Sequence, residues 1–298
     1  RSQAVTGSSL SVYTEKDFKR RADWISTTAL LQNSANILDT GLGNELPTVR
    51  GIDGAGPAVG AVAFFAGSRP RLNLSVDGRS ATYNELAFGT KSLWDMKQVE
   101  IYRGAQSYAQ GRNAVAGSVV MTSNDPSDEF EGATKFSFGN QNYRQFAAML
   151  SGPLVKDELS FRLSAERQSR TSFVDLQSYQ PVGDPRRFET LTARAKLLWT
   201  PSALPDFYSR LTYHYIDAKA PQNEVIPQGV RYAYEKPVFK TGSKSGIWDI
   251  GWQISDQWKW ENQLIYSKYT NDRRSLPVNL RGNPAALDGK EIQWEPKI

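Results

Sequence analysis

The second half of the chain alternates apolar and polar residues over long stretches, and this alternation constrains the fold most strongly. Leu159, Phe161 and Leu163 alternate with polar residues, and similar runs occur at 191–199 and 211–215. Such alternation predicts β-strands with one apolar and one polar face. An antiparallel sandwich, a soluble barrel and a membrane barrel can each accept these strands. The runs span about 10 to 14 residues, close to the ~9–11 that a tilted membrane strand needs, and this length favours the membrane barrel.

The connections between these runs alternate between short and long. Short turns are predicted near 155–158, 202–206 and 256–257, and long connections near 174–187, 219–245 and 271–289. The turn at 139–142 is an exception, because it is short where a long connection is expected. Alternation of this kind is typical of membrane barrels, whose periplasmic turns are short and outer loops long. Trp199, Trp258 and Trp260 flank two of the short turns, as an interfacial girdle would, although an ordinary β-sandwich can also place aromatic residues there.

Composition excludes several other classes of protein. No apolar run approaches the ~20 residues that a membrane-spanning helix needs, and zero cysteines exclude a disulfide framework and thiolate metal sites. The net charge of +5 comes from dispersed Lys and Arg residues without a basic block, so no nucleic acid is expected as a partner. The only histidine, His214, is predicted to be a polar, lumen-facing residue. With one histidine, no catalytic triad or multi-histidine metal site is expected, and the protein is predicted not to be an enzyme.

The segment Asn-Asp-Pro-Ser-Asp at 124–128 is unfavourable for a regular strand, and the residues before it do not show the alternating pattern. Two short helices are predicted at 15–21 and 25–32, followed by short strands and glycine-rich loops. Residues 97–125 contain a strand, an Arg-Gly turn, a segment of small residues and a second strand at 118–122. Gly in these Arg-Gly and Asp-Gly pairs can supply the positive φ angles that tight turns require.

Four short motifs of this region carry a family resemblance. Val49-Arg50-Gly51 is followed by Val76-Asp77-Gly78, then by Val99-Glu100 with Arg103-Gly104, and then by the strand at 118–122. In this order and spacing the set resembles the N-terminal plug of the TonB-dependent outer-membrane receptors. Three departures are present: no energy-coupling box is recognised before Val12, the first plug element lacks Pro-Gly-Val, and Tyr-Arg-Gly-Ala replaces the commoner Leu-Arg-Gly-Pro.

The resemblance implies a mixed α/β plug domain at residues 1–126, followed by antiparallel transmembrane β-barrel strands at 127–298. About eight strands are predicted, with the last cut at Ile298, whereas the family closes its barrel with 22 strands. A barrel of eight strands is filled by its own side chains and cannot hold a plug of this size. We therefore expect a partial barrel, the N-terminal portion of a longer protein with about 14 further strands.

The resemblance also implies a function, namely TonB-dependent active uptake of a ferric siderophore across the outer membrane of a Gram-negative bacterium. The implied partners are the ferric siderophore, the TonB energy-coupling protein of the inner membrane, and outer-membrane lipid and lipopolysaccharide. The protein is expected to be a monomer without a cofactor, and iron enters only as chelated cargo. Uptake of haem, cobalamin or a saccharide stays open, as do a passive porin and a soluble β-rich binding or enzyme domain.

Two sets of site residues are implied by the resemblance. Arg50 and Arg103 match the two plug arginines of the family, which implies ion pairs with carboxylates of the barrel wall and with Glu100-type neighbours; the alternative is ordinary turn arginines in solvent. The segment 58–72 is predicted to reach the plug apex, where aromatic rings and guanidinium groups suit an anionic iron chelate. A buried strand of the plug core is an equal alternative for it. The predicted substrate-binding residues are Phe64, Phe65, Arg69, Arg71 and, from a second loop, Tyr83.

Overall fold

The computed structural model describes residues 9–21, 24–38, 46–56, 70–88, 92–105, 114–172, 186–221, 238–274 and 285–297. These residues form a five-stranded sheet with three helices and a two-stranded sheet, all before residue 124, and an eight-stranded sheet after it. The expected fold class, a mixed α/β plug followed by antiparallel barrel strands, is confirmed. No helix among the described residues is both long and apolar enough to cross a membrane.

The described residues of the N-terminal part form seven strands and three helices. The elements are β1 (Ser9–Thr14), α1 (Glu15–Arg20), α2 (Thr27–Gln32), β2 (Ile37–Leu38), β3 (Thr48–Val49), β4 (Leu72–Val76), β5 (Arg79–Ser80), α3 (Tyr83–Phe88), β6 (Met96–Arg103) and β7 (Gly117–Ser123). The larger sheet has the order β1-β6-β7-β4-β5, in which only β4 and β7 are parallel. Both helices predicted near residues 15 and 25 are present, with their ends shifted by one or two residues.

Apolar residues of this sheet and of α2 form one hydrophobic core. Leu30, Val99 and Val119 are fully buried, and Ile101 and Met121 are 1% exposed. Because β6 and β7 bury alternate residues against α2, the strand pattern of the sequence places these apolar side chains together. The Asp77-Gly78 turn and the Asp95 turn lie at the edge of this core, and they face the eight-stranded sheet.

The C-terminal part is a continuous antiparallel sheet of neighbouring strands. The strands are β8 (Glu131–Gly139), β9 (Tyr143–Val155), β10 (Leu159–Thr171), β11 (Arg187–Trp199), β12 (Phe207–Pro221), β13 (Val238–Gln253), β14 (Lys259–Arg274) and β15 (Ala285–Lys297). Their number agrees with the predicted eight. Two predicted connections are shorter than expected. The connection predicted at 219–245 is shorter because β12 and β13 pair as far as Pro221 and Val238. The connection predicted at 271–289 is shorter because β14 continues to Arg274 and β15 begins at Ala285.

The two faces of this sheet differ as the alternation predicts. Arg162, Arg194 and Lys196 are 2–6% exposed on the face that meets the plug, while Leu163 and Leu211 are 50% and 52% exposed on the other face. An unpaired charge on a lipid-facing strand costs roughly 2–4 kcal/mol near the bilayer midplane. The polar face with these cations therefore points toward the plug, and the apolar face points outward.

Candidate functional site

The inner face of β10, β11 and β12 carries a cluster of cationic side chains and one histidine. Arg162 on β10 pairs in register with Lys196 on β11, and Arg194 on β11 pairs with His214 on β12. Arg210, four residues before His214, faces the same way. Adjacent strands place these side chains about 5 Å apart, so the cluster is strongly positive unless acidic groups neutralise it.

Three aspartates of the plug meet this cluster, and each comes from the end of a strand. Asp77 follows β4, Asp95 precedes β6, and Asp125 follows β7. Asp77 and Asp95 have φ angles of 50° and 58°, in the left-handed region that Asp and Asn tolerate better than other non-glycine residues. These turns therefore project carboxylates away from the plug core and toward the barrel wall. We call the three aspartates and the five basic residues of the wall the plug–wall cluster.

Asp95 and Arg162 form the most complete ion pair of the plug–wall cluster. The Nε of Arg162 donates to both carboxylate oxygens of Asp95 at 2.9 Å, and its Nη2 donates to Oδ1 at 2.5 Å. The two side chains are 3% and 6% exposed. Nη1 of the same arginine donates to Glu131 of β8 at 2.6 Å. Such multidentate contacts with a guanidinium fix geometry as well as charge.

Asp125 joins two strands of the wall to the plug. Its Oδ1 accepts a hydrogen bond from Lys196 Nζ at 3.1 Å and one from Arg210 Nη1 at 3.0 Å. Arg210 also donates to Asp249 of β13 at 3.0 Å. The chain of contacts therefore runs from the plug through β11 and β12 into β13.

Asp77 binds the only histidine of the chain. Its Oδ2 lies 3.0 Å from Nε2 of His214 and accepts a hydrogen bond from the Ser123 hydroxyl at 2.6 Å. The Asp77 carbonyl accepts a further hydrogen bond from Gln263 of β14 at 3.3 Å. The predicted lumen-facing position of His214 is confirmed, and the histidine serves as a partner of the plug.

The wall cations lower the pKa values of two plug aspartates. Burial alone raises the pKa of Asp77, but the hydrogen bond from His214 and the positive charge of Lys196 outweigh it, and the pKa is held well below its usual range. Burial likewise raises the pKa of Asp125, and Lys196 and Arg210 lower it to a value below the usual one. Both carboxylates are therefore ionised at neutral pH.

Uncharged contacts extend the interface beyond the plug–wall cluster. The indole Nε1 of Trp94 donates to the Ala148 carbonyl of β9 at 3.1 Å. The rings of Phe88 in α3 and Phe239 in β13 stack with 4.1 Å between their centroids and 3° between their planes. The plug is therefore held by charge on one side and by a stacked aromatic pair near the other end of β13.

A cavity of about 670 Å³ lies beside the cluster, between the plug and β8, β9 and β10. Its lining includes Trp24, Asp95, Gln145 and Arg162. The lining is mixed, and its polar groups can hydrogen-bond water or a polar solute beside apolar residues such as Met149. Among the described residues, no group of three or more His, Cys, Asp or Glu side chains is arranged to hold a metal ion.

Between described residues, the residues predicted to lock the plug make their hydrogen bonds within the plug. Nη2 and Nη1 of Arg103 donate to the hydroxyls of Ser11 and Ser9 in β1, at 2.6 and 3.3 Å. Glu100 accepts hydrogen bonds from Gln98 and from Tyr102, and burial followed by this contact raises the pKa of Tyr102 to about 12.

Arg50 and Arg103 therefore differ from the predicted geometry in the described part of the chain. Arg50 is exposed in a left-handed turn with a φ of 50°, and its backbone N–H donates to the Asn36 carbonyl. The expected pairing of plug arginines with barrel carboxylates is not found between the described residues. The prediction paired arginines of the plug with carboxylates of the wall. In the described pairs the charges are reversed: aspartates of the plug contact cations of the wall.

Only two of the predicted substrate-binding residues lie within the described ranges. Phe64, Phe65 and Arg69 lie outside them. Arg71 is half-exposed, with its Nη1 4.0 Å from Asp53 Oδ2. The predicted loop position of Tyr83 is wrong: Tyr83 begins α3 and is 3% exposed in the plug core, because the chain after Thr82 forms a helical turn that buries it. The role of this set in binding stays a prediction.

Comparison with known proteins identifies the N-terminal part. Residues 2–118 match the family model of the TonB-dependent Receptor Plug Domain. The "Ferrioxamine B receptor" of Salmonella typhimurium is 32% identical over 93 residues, which are 31% of this chain and 13% of that receptor. The matched stretch is therefore a small part of its relative.

Solved structures agree with the fold over nearly the whole chain. The ferric yersiniabactin uptake receptor FyuA of Yersinia pestis has a TM-score of 0.70 at 17% identity, covering 92% of this chain and 42% of its own. The alcaligin outer-membrane receptor FauA of Bordetella pertussis has a TM-score of 0.66 at 16% identity, covering 99% of this chain and 48% of its own. This chain therefore spans less than half the length of either structure.

Proposed function

We propose that this chain, which carries the plug domain and barrel strands of a TonB-dependent receptor, takes part in the active uptake of a ferric siderophore across the outer membrane of a Gram-negative bacterium. The observation that carries the proposal is the plug–wall cluster. Buried ion pairs such as Asp95–Arg162 hold a folded domain against the inner face of the sheet. A closed plug of this kind separates the two sides of a barrel until it is displaced.

The cluster suits a plug that is held firmly and still released by force. Breaking one partner of a buried pair costs about 3–5 kcal/mol, whereas moving both charges into water restores much of that cost as hydration. Work supplied through the TonB energy-coupling protein would therefore separate the plug from the wall, and the barrel would keep its own ladder hydrogen bonds.

The proposal that the cargo is a siderophore is based on the similar proteins and on the residues predicted to lie at the plug apex. The similar proteins are receptors for ferrioxamine B, ferric yersiniabactin and alcaligin, so the likeness does not select one chelate. Phe64, Phe65, Arg69 and Arg71 combine aromatic faces with cations, which suits a large anionic chelate. Iron is then cargo and not a resident cofactor.

A passive porin is the alternative that the plug–wall cluster disfavours. A porin needs an open lumen, but the plug contacts the inner faces of β9 to β14 through Trp94, the three aspartates and Phe88. Haem, cobalamin and a saccharide are alternative cargoes of the same transport mechanism. The uptake experiment described next distinguishes them from a ferric siderophore.

Uptake of radioactive iron tests the proposal. Cells that depend on this receptor are given ferric catecholates, hydroxamates and mixed chelates, with the energy-coupling protein present or deleted. We expect uptake of at least one chelate that stops on deletion, and recovery of the receptor in the outer-membrane fraction after a salt wash. Uptake of every small solute without energy coupling would support the porin, and uptake of haem or cobalamin alone would change the cargo.

A further inference from the structure

Three lysines stand side by side on the outward face of the sheet. Lys244 of β13 pairs in register with Lys268 of β14, and Lys268 pairs with Lys290 of β15. All three are exposed. The Nζ of Lys244 lies 5.8 Å from the ring centroid of Tyr215, its neighbour on β12. We call Lys244, Lys268 and Lys290 the lysine row.

The lysine row is electrostatically unfavourable without an anion. Like charges that face each other on neighbouring strands destabilise a sheet. Between the described residues, none of the three lysines forms an ion pair within 4 Å. Asp217 and Asp288 lie two residues further along their strands toward the long connections, outside that distance. The row therefore presents three closely spaced ammonium groups to an external ligand.

An apolar groove of about 680 Å³ begins directly beneath the lysine row. Gly246, two residues from Lys244, is in register between Tyr213 and Tyr266, and a side chain added at Gly246 would meet no atom within 4 Å. The walls come from apolar residues of five strands. They include Phe161, Leu163, Leu197, Leu211, Trp248 and Leu264.

The position of the lysine row along the strands matches the edge of an apolar band. The opposite end of the sheet carries an aromatic row, Phe207, Trp252 and Trp260, in register near the short turns. Eight residues separate Trp252 from Lys244, or ~27 Å along a strand and ~20 Å along the normal of a barrel with tilted strands. The apolar band of membrane barrels is about 25 Å tall, so the lysines lie near its polar boundary.

We propose that the lysine row and the Gly246 groove form a binding site for one phosphate-bearing lipid. The phosphate lies against Lys244, Lys268 and Lys290, and an acyl chain enters the groove between Tyr213 and Tyr266. Anionic charge removes the repulsion within the row, and the chain fills space that no side chain occupies. Lysines that only extend their ammonium groups into water would need neither the groove nor three neighbouring strands.

Native mass spectrometry of the detergent-purified protein tests the site. The probes are dioleoylphosphatidylglycerol and dioleoylphosphatidylcholine, which share their acyl chains and differ in net charge. We expect saturable binding of one phosphatidylglycerol per protein and weaker binding of phosphatidylcholine. Replacing the row with Gln (K244Q, K268Q and K290Q together) should weaken phosphatidylglycerol binding by about tenfold or more, since each lysine near an anionic headgroup contributes a several-fold factor.

Matched variants separate the two halves of the site. Replacing Lys16, Lys135 and Lys156 with Gln removes the same charge elsewhere and should leave lipid binding unchanged. Replacing the three lysines of the row with Arg keeps the charge and should keep the binding. Gly246→Leu should lower the affinity for both lipids, whereas Ala165→Leu, on the same outward face, should not. Inorganic phosphate at millimolar concentration should not displace the lipid.

Three results would overturn the proposal. The first is equal binding of the two lipids, and the second is equal loss in the row variant and in the control variant. The third is a dimer in the wild type that Gly246→Leu dissociates, because the groove would then hold a second copy of the protein. Proper folding of each variant is checked by heat-dependent migration in gels, so that a misfolded barrel is not scored as lost binding.

Discussion

Asp95 of the plug accepts hydrogen bonds from Arg162 of the barrel wall through both carboxylate oxygens, each 2.9 Å from the guanidinium Nε. The two residues are 67 positions apart in the sequence; Asp95 lies in the turn before β6, and Arg162 lies in β10 of the eight-stranded sheet. Their pairing links the edge of the plug core to the third strand of the barrel, so it reports directly whether the plug is seated.

Removing one partner of this pair should loosen the plug. Arg162→Gln leaves the buried Asp95 carboxylate with Arg194, 3.9 Å away, as its remaining cation, so the cost should be at most about 3–5 kcal/mol, the value for a fully broken buried pair. We expect faster hydrogen exchange in β6 and greater leakage of large antibiotics into cells. Asp95→Asn together with Arg162→Gln should cost less than the sum of the single changes, because their interaction energy is on the order of 0.5–3 kcal/mol. Purely additive losses would show that the two side chains do not act as a pair.

Seating of the plug should resist mild acid. The folded pKa values of Asp77 and Asp125 are lowered, so their stabilisation is complete above the unfolded value of about 3.9 and is lost as the pH falls through the folded values. From these two carboxylates we expect unchanged protection of β4 and β7 against hydrogen exchange between pH 7 and pH 5, after correction for the intrinsic pH dependence of exchange, and release only below about pH 4.

The matched variants for this pH dependence are Asp77→Asn and Asp125→Asn. Each should lower the stability of the seated plug near neutral pH and reduce its further loss in acid. If the wild-type plug is released from the wall between pH 7 and pH 5, another titrating group controls the release. His214, which faces Asp77, is the first such group to test.

Arg103→Ala should weaken the contact between β1 and β6. The change removes hydrogen bonds to Ser9 and Ser11, and hydrogen bonds to a charged group contribute about 1.5–3 kcal/mol each when buried. We expect easier proteolysis of residues 9–14, unchanged barrel stability and lower iron uptake. Unchanged proteolysis and uptake would indicate an arginine with no part in holding the plug.

Arg71 and Arg69 are predicted to contact the ferric chelate. Replacing both with Ala should weaken binding by about 1–3 kcal/mol, because each removes a charge-assisted contact. Fluorescence quenching by a panel of ferric chelates measures the loss of affinity. The control variant replaces Arg20 and Arg21, near the start of the plug sequence, with Ala. Equal affinity of wild type and the Arg69/Arg71 variant for every chelate would remove these residues from the site.

Gly117→Ala should destabilise the plug sheet. A Cβ atom at Gly117 would lie 2.5 Å from the Tyr102 carbonyl oxygen, and backbone cannot move aside as a side chain can. Crowding of this kind typically costs 1–3 kcal/mol, so about that loss of plug stability is expected in denaturant. Gly246→Ala, where a Cβ meets no atom within 4 Å, is the matched glycine change and should be close to neutral.

The sequence pattern predicts one half of the plug–wall cluster. Alternation along β10 and β11 places Arg162, Arg194 and Lys196 on the polar face, because strand geometry alone decides the side of each residue. Their partners come from turns, where direction depends on a few φ and ψ angles and on how two domains dock. Nothing local in the sequence distinguishes Asp95 from other turn aspartates.

The extents of the connections are harder to predict for a related reason. Strands β12 and β13 continue to Pro221 and Val238 through polar and small residues such as Asp217 and Gly242. Backbone ladder bonds hold these ends together, and ladder bonds leave no trace in hydropathy. Motif spacing indicates the plug because turn glycines and arginines recur at set positions, whereas the reversed polarity of the plug–wall pairs requires the tertiary structure.

For the proposed function, the polarity of the plug–wall cluster bears on how the barrel would close after the plug is displaced. In the described pairs between the two parts, the aspartates belong to the plug and the cations to the wall. Pulling the plug away therefore separates opposite charges, and they continue to attract until solution ions screen them, at about 8 Å in physiological salt. In the proposed transport cycle, this attraction would return a plug displaced by less than that distance to the wall, so closing would need no second input of work.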